Sequence, residues 1–227
     1  ALPPDGIAFV NSEDEQVRDL TTSAETITYG YSAKCDFTGD VHNDNDGILN
    51  IIINGNEIAL NSYNRTFAYN VLAACAVSIT LDTNWDDFAQ AVLSFEPARG
   101  RCTTRDIGGV TVIDDTYNAN LASALAALDL LLAHPARGKR VVVLADMLEL
   151  GDDSEEHHKR VGEACVENAI DQLFCLGEKS RIAVERARGD IDARHFDNKQ
   201  DLADCVKHEI KSGDFVLFKG SRGMELE

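Results

Sequence analysis

The sequence predicts an α/β protein in two parts: a β-rich first hundred residues, then a doubly wound, mostly parallel sheet. Three observations carry this. From about residue 109 onward, five apolar runs alternate with four helix-length segments, the pattern of strand–helix–strand crossovers with a right-handed sense. Those runs are rich in Val, Leu and Phe and lack polar alternation, as a sheet covered on both faces requires. Before PARGRC (97–102) the texture differs, with short apolar strands and an Asn-Gly turn preceding two helical stretches.

GIAFV (6–10) reads as a short buried strand, and the NSED that follows can cap a helix over about 13–20. TITYGY (26–31) is a second strand. In GILNIIINGNEIAL (47–60), two apolar runs flank Asn54-Gly55-Asn56. This is a hairpin signal, because Asn-Gly accepts the positive φ angles of a type I′ turn. FAYNVLAACAVSITL (67–81) has helical length and small residues suited to close packing. WDDFAQAVLSF (85–95) carries apolar residues at 85, 88, 92 and 95, a helical stripe, with Asn84 as its cap. In the second part, strands at GVTVID (109–114), KRVVVLAD (139–146), DQLFCLG (171–177), ARHFD (193–197) and DFVLFKG (214–220) are separated by helices. Those helices fall over about 119–133, 154–168, 179–188 and 199–211. The boundary falls near 100–104, giving domains 1–101 and 102–227.

With 227 residues, 44% of them hydrophobic and 26% charged, the chain can bury a real core. A net charge of -18 argues against nucleic-acid binding, which needs clustered Lys and Arg. No apolar run reaches the length of a membrane span, and the N-terminal residues do not read as a signal peptide. Cysteines at 35, 75, 102, 165, 175 and 205 form no CxxC pair and no zinc spacing with His. Reduced thiols in a cytoplasmic protein are expected.

Ligands of an open parallel sheet bind beyond the carboxyl ends of its strands. Three such ends are polar here: Asp114-Asp115-Thr116-Tyr117-Asn118-Ala119-Asn120, Asp146-Met147-Leu148-Glu149, and Lys219-Gly220-Ser221-Arg222. Each has a plainer reading. Asn120 can simply cap the next helix, Ser154 can cap another in a Ser-x-x-His arrangement, and KGSRG can be a surface turn. His157 and His158 are adjacent, so they diverge on a helix and make a poor metal pair; no metal site is expected.

DDTYNAN (114–120), LADMLELGDDSEEHHKRVGE (144–163) and FKGSRGMELE (218–227) together resemble the Mur ligases of peptidoglycan synthesis. The branch with the same turns reads DDSYNANP, LGDMLELG and KGSRG. LPPDGIAFVNSED (2–14) is similar to the family's LPxxGxAVxNxDD, and PARGR (97–101) to its P-x-x-GR. The resemblance implies that 1–101 is the later part of a central ATPase-type domain and 102–227 a Rossmann-like C-terminal domain. It also implies an ATP-dependent amide ligase, in which a substrate carboxylate is phosphorylated and an amine attacks the acyl phosphate with magnesium neutralising the transferred group. In this branch the amine is D-alanyl-D-alanine and the acid a UDP-N-acetylmuramoyl tripeptide. Carried over by position, Asp115 would bind the ATP ribose, with Asp114 second. Arg101 would meet ATP phosphate, and Asn70, Tyr117, Asn118 and Asn120 would line the nucleotide cleft. Glu149, Lys219, Ser221 and Arg222 would lie on the incoming-amine or product side. Related ligases that add diaminopimelate, or that extend folates, have DYAH or DGAHNP in place of DDTYNAN.

Departures accompany the match. No GxxxxGK[ST] phosphate loop occurs, and the one Gly-Lys pair, Gly138-Lys139, enters a strand after a helix. The resemblance places that loop, the magnesium-binding Glu and a carbamylated Lys upstream of LPxxGxAVxN, with the loop about 100 residues before Ala1. The chain therefore reads as the back half of a ligase. It is expected to bind neither ATP nor magnesium tightly, to be inactive alone, and to self-associate or be disordered over 1–95 through exposed edges. The rival reading is a non-catalytic scaffold, or a half that pairs with another polypeptide. In NRTFAYNVLAAC (64–75), Thr66 and Phe67 stand where the family has His and an adenine-contacting Asn. Phe67 would either lose adenine or stack on it. Leu121 replaces the family's Pro and alters the entry to the helix.

Overall fold

The computed structural model describes residues 2–3, 5–135 and 137–227. It divides into two units, Ala1–Glu96 and Pro97–Glu227.

In the first unit, strands β1 (Ile7–Asn11), β2 (Glu25–Gly30), β3 (Phe37–Asn43), β4 (Leu49–Ile53) and β5 (Asn56–Ala59) lie side by side in chain order. β1, β2 and β3 run parallel, whereas β3, β4 and β5 are antiparallel. The β4–β5 hairpin turns at Asn54 (φ 48°) and Gly55 (φ 86°), the two positive angles that Asn-Gly accepts most readily. Helices α1 (Arg65–Thr80) and α2 (Trp85–Leu93) follow, and the Asn64 and Asn84 side chains accept N–H groups of their first turns. Leu49, Ile51 and Ile53 alternate inward along β4 and pack with Ala68, Leu72, Cys75 and Phe88.

One expectation fails here, and one strand goes beyond those expected. Residues 13–20 form turns, not a helix. Asn11 Oδ1 accepts the Glu13 N–H (2.8 Å), and Asp14 Oδ1 accepts the Gln16 N–H (2.8 Å). These local bonds compete with helix continuation, and with Leu20 66% exposed the segment has no apolar stripe to bury. β3, FTGDVHN, was not anticipated. Its central Gly39 allows a close crossing of α1, since a Cβ there would lie 2.9 Å from Leu72 Cδ2.

The second unit holds β6 (Thr103–Ile107), β7 (Val110–Asp115), α3 (Leu121–Ala133), β8 (Arg140–Ala145), α4 (Ser154–Glu167), β9 (Gln172–Leu176), α5 (Arg181–Ala187), β10 (Asp192–Phe196), α6 (Lys199–Glu209) and β11 (Phe215–Lys219). The sheet order is β10-β9-β8-β11-β7-β6, parallel except for the β6–β7 hairpin. β6 was also unforeseen, because TTRDI has no apolar alternation; Gly108 and Gly109 turn it onto β7 with φ 64° and 83°. Val141, Val143, Ala145, Phe174, Leu176 and Val216 form a core with Leu202 of α6. β7 to β10 step across the sheet in one direction, and β11 then returns to lie between β7 and β8. In open sheets of this kind, ligands bind beyond the carboxyl ends of the strands at such a reversal.

Candidate functional site

Lys219 and Asp115 are direct neighbours across the parallel β11–β7 pair, so their side chains leave the same face of the sheet. They form an ion pair of 2.7 Å, with the lysine side chain 2% and the aspartate side chain 12% exposed. The ammonium also donates to the Asn118 carbonyl oxygen (2.5 Å), and the other carboxylate oxygen of Asp115 accepts the Cys102 N–H (3.1 Å). Lys219 thus spends its charge on the DDTYNAN turn and presents almost no surface outward. Asp115 keeps spare acceptor capacity, since a carboxylate has about four lone-pair sites. Asp114 faces the opposite way and accepts the Thr116 hydroxyl (2.7 Å) and N–H (3.3 Å).

Ser221 is a second tie. Its hydroxyl oxygen accepts the Leu148 N–H (2.8 Å), its hydroxyl donates to the Ala119 carbonyl (3.4 Å), and its N–H reaches the Asp146 carbonyl (3.2 Å). The turns after β7, β8 and β11 are therefore joined to one another by buried and partly buried bonds.

The β8 turn is set from behind by two residues whose roles the sequence did not disclose. Asp146 accepts the N–H groups of Ser180 (2.7 Å) and Lys179 (3.3 Å), placing a carboxylate at the start of α5, where the helix dipole favours it. His158 is fully buried, and its Nε2 accepts the Met147 N–H (2.9 Å) while Nδ1–H donates to the Ser154 carbonyl (2.7 Å). That arrangement requires the neutral ring, and burial pushes its pKa below the usual value. In the sequence Asp146 is marked only as a polar residue ending a buried apolar run, and His158 only as one of two adjacent histidines in a polar helix start. The expected capping by Ser154 is corrected: Ser154 is the first helical residue of α4, the cap position is Asp153, and no side chain caps it. It is the Ser154 carbonyl that matters.

The remaining site candidates lie further out. Asn120 caps α3 in a reciprocal box with Ser123, its oxygen accepting the Ser123 N–H at 2.8 Å. Asn118 is exposed and lends its carbonyl to Lys219. Glu149 is exposed at φ 61° at the tip of the β8 turn. Tyr117 is 44% exposed, with the Arg101 guanidinium 3.9 Å and the Arg222 guanidinium 6.0 Å from its ring centre. Its N–H donates to the Gly100 carbonyl (2.9 Å). Gly100 (φ 73°) permits that approach, since a Cβ would sit 3.0 Å from the Tyr117 nitrogen.

Asn70 belongs to the first unit, where it is exposed on α1. There it borders an apolar groove of about 350 Å³ between α1 and α2. One wall is Phe67, stacked on Phe95 at 5.5 Å. Among the described residues, no three His, Cys, Asp or Glu side chains group as a metal site, and no helix is long and apolar enough to cross a membrane.

A family model described as "Mur ligase, glutamate ligase domain" matches residues 100–222. UDP-N-acetylmuramoyl-tripeptide–D-alanyl-D-alanine ligase of Synechocystis sp. is 32% identical over 99% of this chain and 49% of the relative. The Bacillus subtilis protein of the same name is 31% identical over 100% and 50%. The chain spans about half the length of the curated relatives it matches. The crystal structure of MurF ligase from Thermotoga maritima in complex with ADP is similar to it with a TM-score of 0.83 and 25% identity, covering 98% of this chain and 52% of that one. With a family match across the very segment that carries the three joined turns, this chain belongs to the Mur ligase family.

Proposed function

We propose that this chain supplies the nucleotide- and amine-facing part of an ATP-dependent ligase that adds D-alanyl-D-alanine to UDP-N-acetylmuramoyl tripeptide. One observation carries the reading: three turns at the carboxyl ends of β7, β8 and β11 are bonded together through Ser221 and Lys219, with Arg101, Tyr117 and Arg222 outermost. The names of the relatives support the choice of substrates.

An amide cannot form from a free carboxylate without activation, and ATP supplies the phosphoryl group that makes oxygen a leaving group. The chain's own part is to bind and orient. Guanidinium groups match phosphate and carboxylate oxygens in fork geometry, so Arg101 and Arg222 suit the nucleotide phosphates and the carboxylate of the incoming dipeptide. Asp115 offers its unused lone pairs to ribose hydroxyls, and Tyr117 and Asn118 border the same opening. Lys219 and Ser221 serve the site by holding these groups in place, and Glu149 shapes the rim. The domain assignment, 1–101 as the later part of a central ATPase domain and 102–227 as the C-terminal domain, belongs to the same proposal.

The 227 residues contain no GxxxxGK[ST] loop to grip transferring phosphates. We therefore expect weak ADP binding and no phosphate release from this polypeptide alone. Calorimetry should show ADP affinity that falls on Arg101→Gln and on Asp115→Ala. Micromolar ATP binding indifferent to Asp115→Ala, or magnesium-dependent phosphate release, would count against the reading. The stacking of Phe67 on Phe95 favours the second reading, a non-catalytic scaffold or a half completed by another polypeptide, because that ring is already occupied. The second reading gains if ADP does not bind at all.

A further inference from the structure

The rim of the second unit holds two cations around one aromatic ring. The Arg101 guanidinium is 3.9 Å from the Tyr117 ring centre and the Arg222 guanidinium 6.0 Å, so the two lie no more than about 10 Å apart. Their surroundings differ. Arg222 pairs with Glu227 at 2.9 Å. Among the described residues, the Arg101 guanidinium has no ion pair and no hydrogen bond, only the ring. In a chain with 39 acids and 21 bases, an arginine left without a carboxylate runs against the prevailing charge.

The ring itself is held by backbone. Tyr117 N–H is bonded to Gly100, and the neighbouring turn is clamped by Lys219 on Asn118 and by Asp115 on Cys102. The platform is thus rigid, whereas the cations resting on it are exposed. A carboxylate in place of the ring would neutralise Arg101 and would have to be displaced by an incoming anion. An aromatic face restrains the guanidinium through its quadrupole while leaving all five N–H donors free.

We propose that Tyr117 is a positioning residue whose ring presents Arg101 and Arg222 as a two-pronged site for a phosphoanion. The inference rests on the ligase reading above, adds the group that sets the spacing of the two arginines, and turns Arg222 from the incoming carboxylate to the phosphoanion. Arg101 is the pre-set prong. Arg222, at the outer limit of ring attraction, leaves Glu227 and closes on the anion.

Two variants separate the ring from its hydroxyl. Tyr117→Phe keeps the ring, and Tyr117→Leu removes it at a position that is 44% exposed. Affinities for inorganic pyrophosphate, ADP and adenosine are measured by calorimetry, and the Arg101 Nε–H resonance is followed by 15N NMR. Tyr117→Phe, which keeps the ring, should bind pyrophosphate and ADP more tightly than Tyr117→Leu. Tyr117→Leu should weaken pyrophosphate and ADP about fivefold, leave adenosine unchanged, and shift the Arg101 resonance as the ring current is lost. Equal pyrophosphate affinity in the Leu variant, or an equal loss in the Phe variant, overturns the inference. ADP binding indifferent to Leu overturns it while leaving the ligase reading intact. Ring-dependent pyrophosphate binding with ADP no tighter supports the platform and counts against the nucleotide reading. If the parent binds no phosphoanion, both fall.

Discussion

Replacing Lys219 by Met preserves most of the side chain's length and apolar contact but removes the ammonium. Asp115 then remains a buried carboxylate with the Cys102 N–H as its one remaining partner of the two. Removing one member of a buried ion pair costs about 3–5 kcal/mol, because the remaining charge is uncompensated. The aspartate side chain is 12% exposed against 2% for the lysine, so some water reaches it and the lower end, about 3 kcal/mol, is expected. The Asn118 carbonyl also loses its donor, but it lies at an exposed residue where water substitutes. For a unit of this size, each kcal/mol lowers the midpoint by about 3–5 °C. Lys219→Met should therefore melt about 10–15 °C lower, read by circular dichroism and repeated in urea. The double variant Asp115→Asn/Lys219→Met has no stranded charge and should recover to within about 1 kcal/mol of the parent. A loss below about 1 kcal/mol for Lys219→Met would refute the reasoning, since that is the range of a solvated surface pair. Lys219 would then be free to meet a ligand.

Two further perturbations test how the rim is supported. Burial holds the His158 imidazole below its ordinary 6.5, so the unfolded chain takes up the proton first as the pH drops. The stability from this group is present above about pH 6.5 and is lost as pH falls toward and through the folded value. The stability difference between the parent and His158→Gln should shrink between pH 7 and pH 5 in urea titrations, and a difference that grows would exclude the neutral-ring arrangement. Gly162→Ala would gain about 1 kcal/mol from helix propensity, but its Cβ would come 2.5 Å from the Ala183 carbonyl oxygen where α4 meets α5. A net loss of about 1–3 kcal/mol is expected from such overpacking, and a stabilised variant would show that the two helices can separate freely.

The parallel sheet was legible because its strands are buried on both faces, and Val141–Ala145 or Gln172–Leu176 can be read without knowing their neighbours. Helix caps at Asn84 and Asn120, and the turn at Asn54-Gly55, were legible for the same reason: each is a bond or a dihedral preference within a few residues. β3 and β6 were not. Phe37–Asn43 and Thr103–Ile107 carry Gly, Asp, His or Arg, and they are strands because β4 and β7 offer them a ladder. The segment over 13–20 misled in the opposite direction, with a capping pattern and no apolar face to reward a helix.

At the site, the motif turns and their sheet-end location came from local sequence, since a polar run after a buried strand needs no partner to be recognised. Which side chains face outward did not. Lys219 looks like a ligand-binding cation until the register of β11 against β7 places Asp115 2.7 Å away, and Arg101, assigned to phosphate through the family resemblance, is seen to rest on Tyr117 only in the structure. Chain chemistry determined the buried parallel strands, most of the helices and where the polar turns fall, because those depend on short-range propensity and burial. Strand pairing decided which charges are spent internally and which remain for a ligand, because Coulomb energy depends on distance in space and not on separation along the chain.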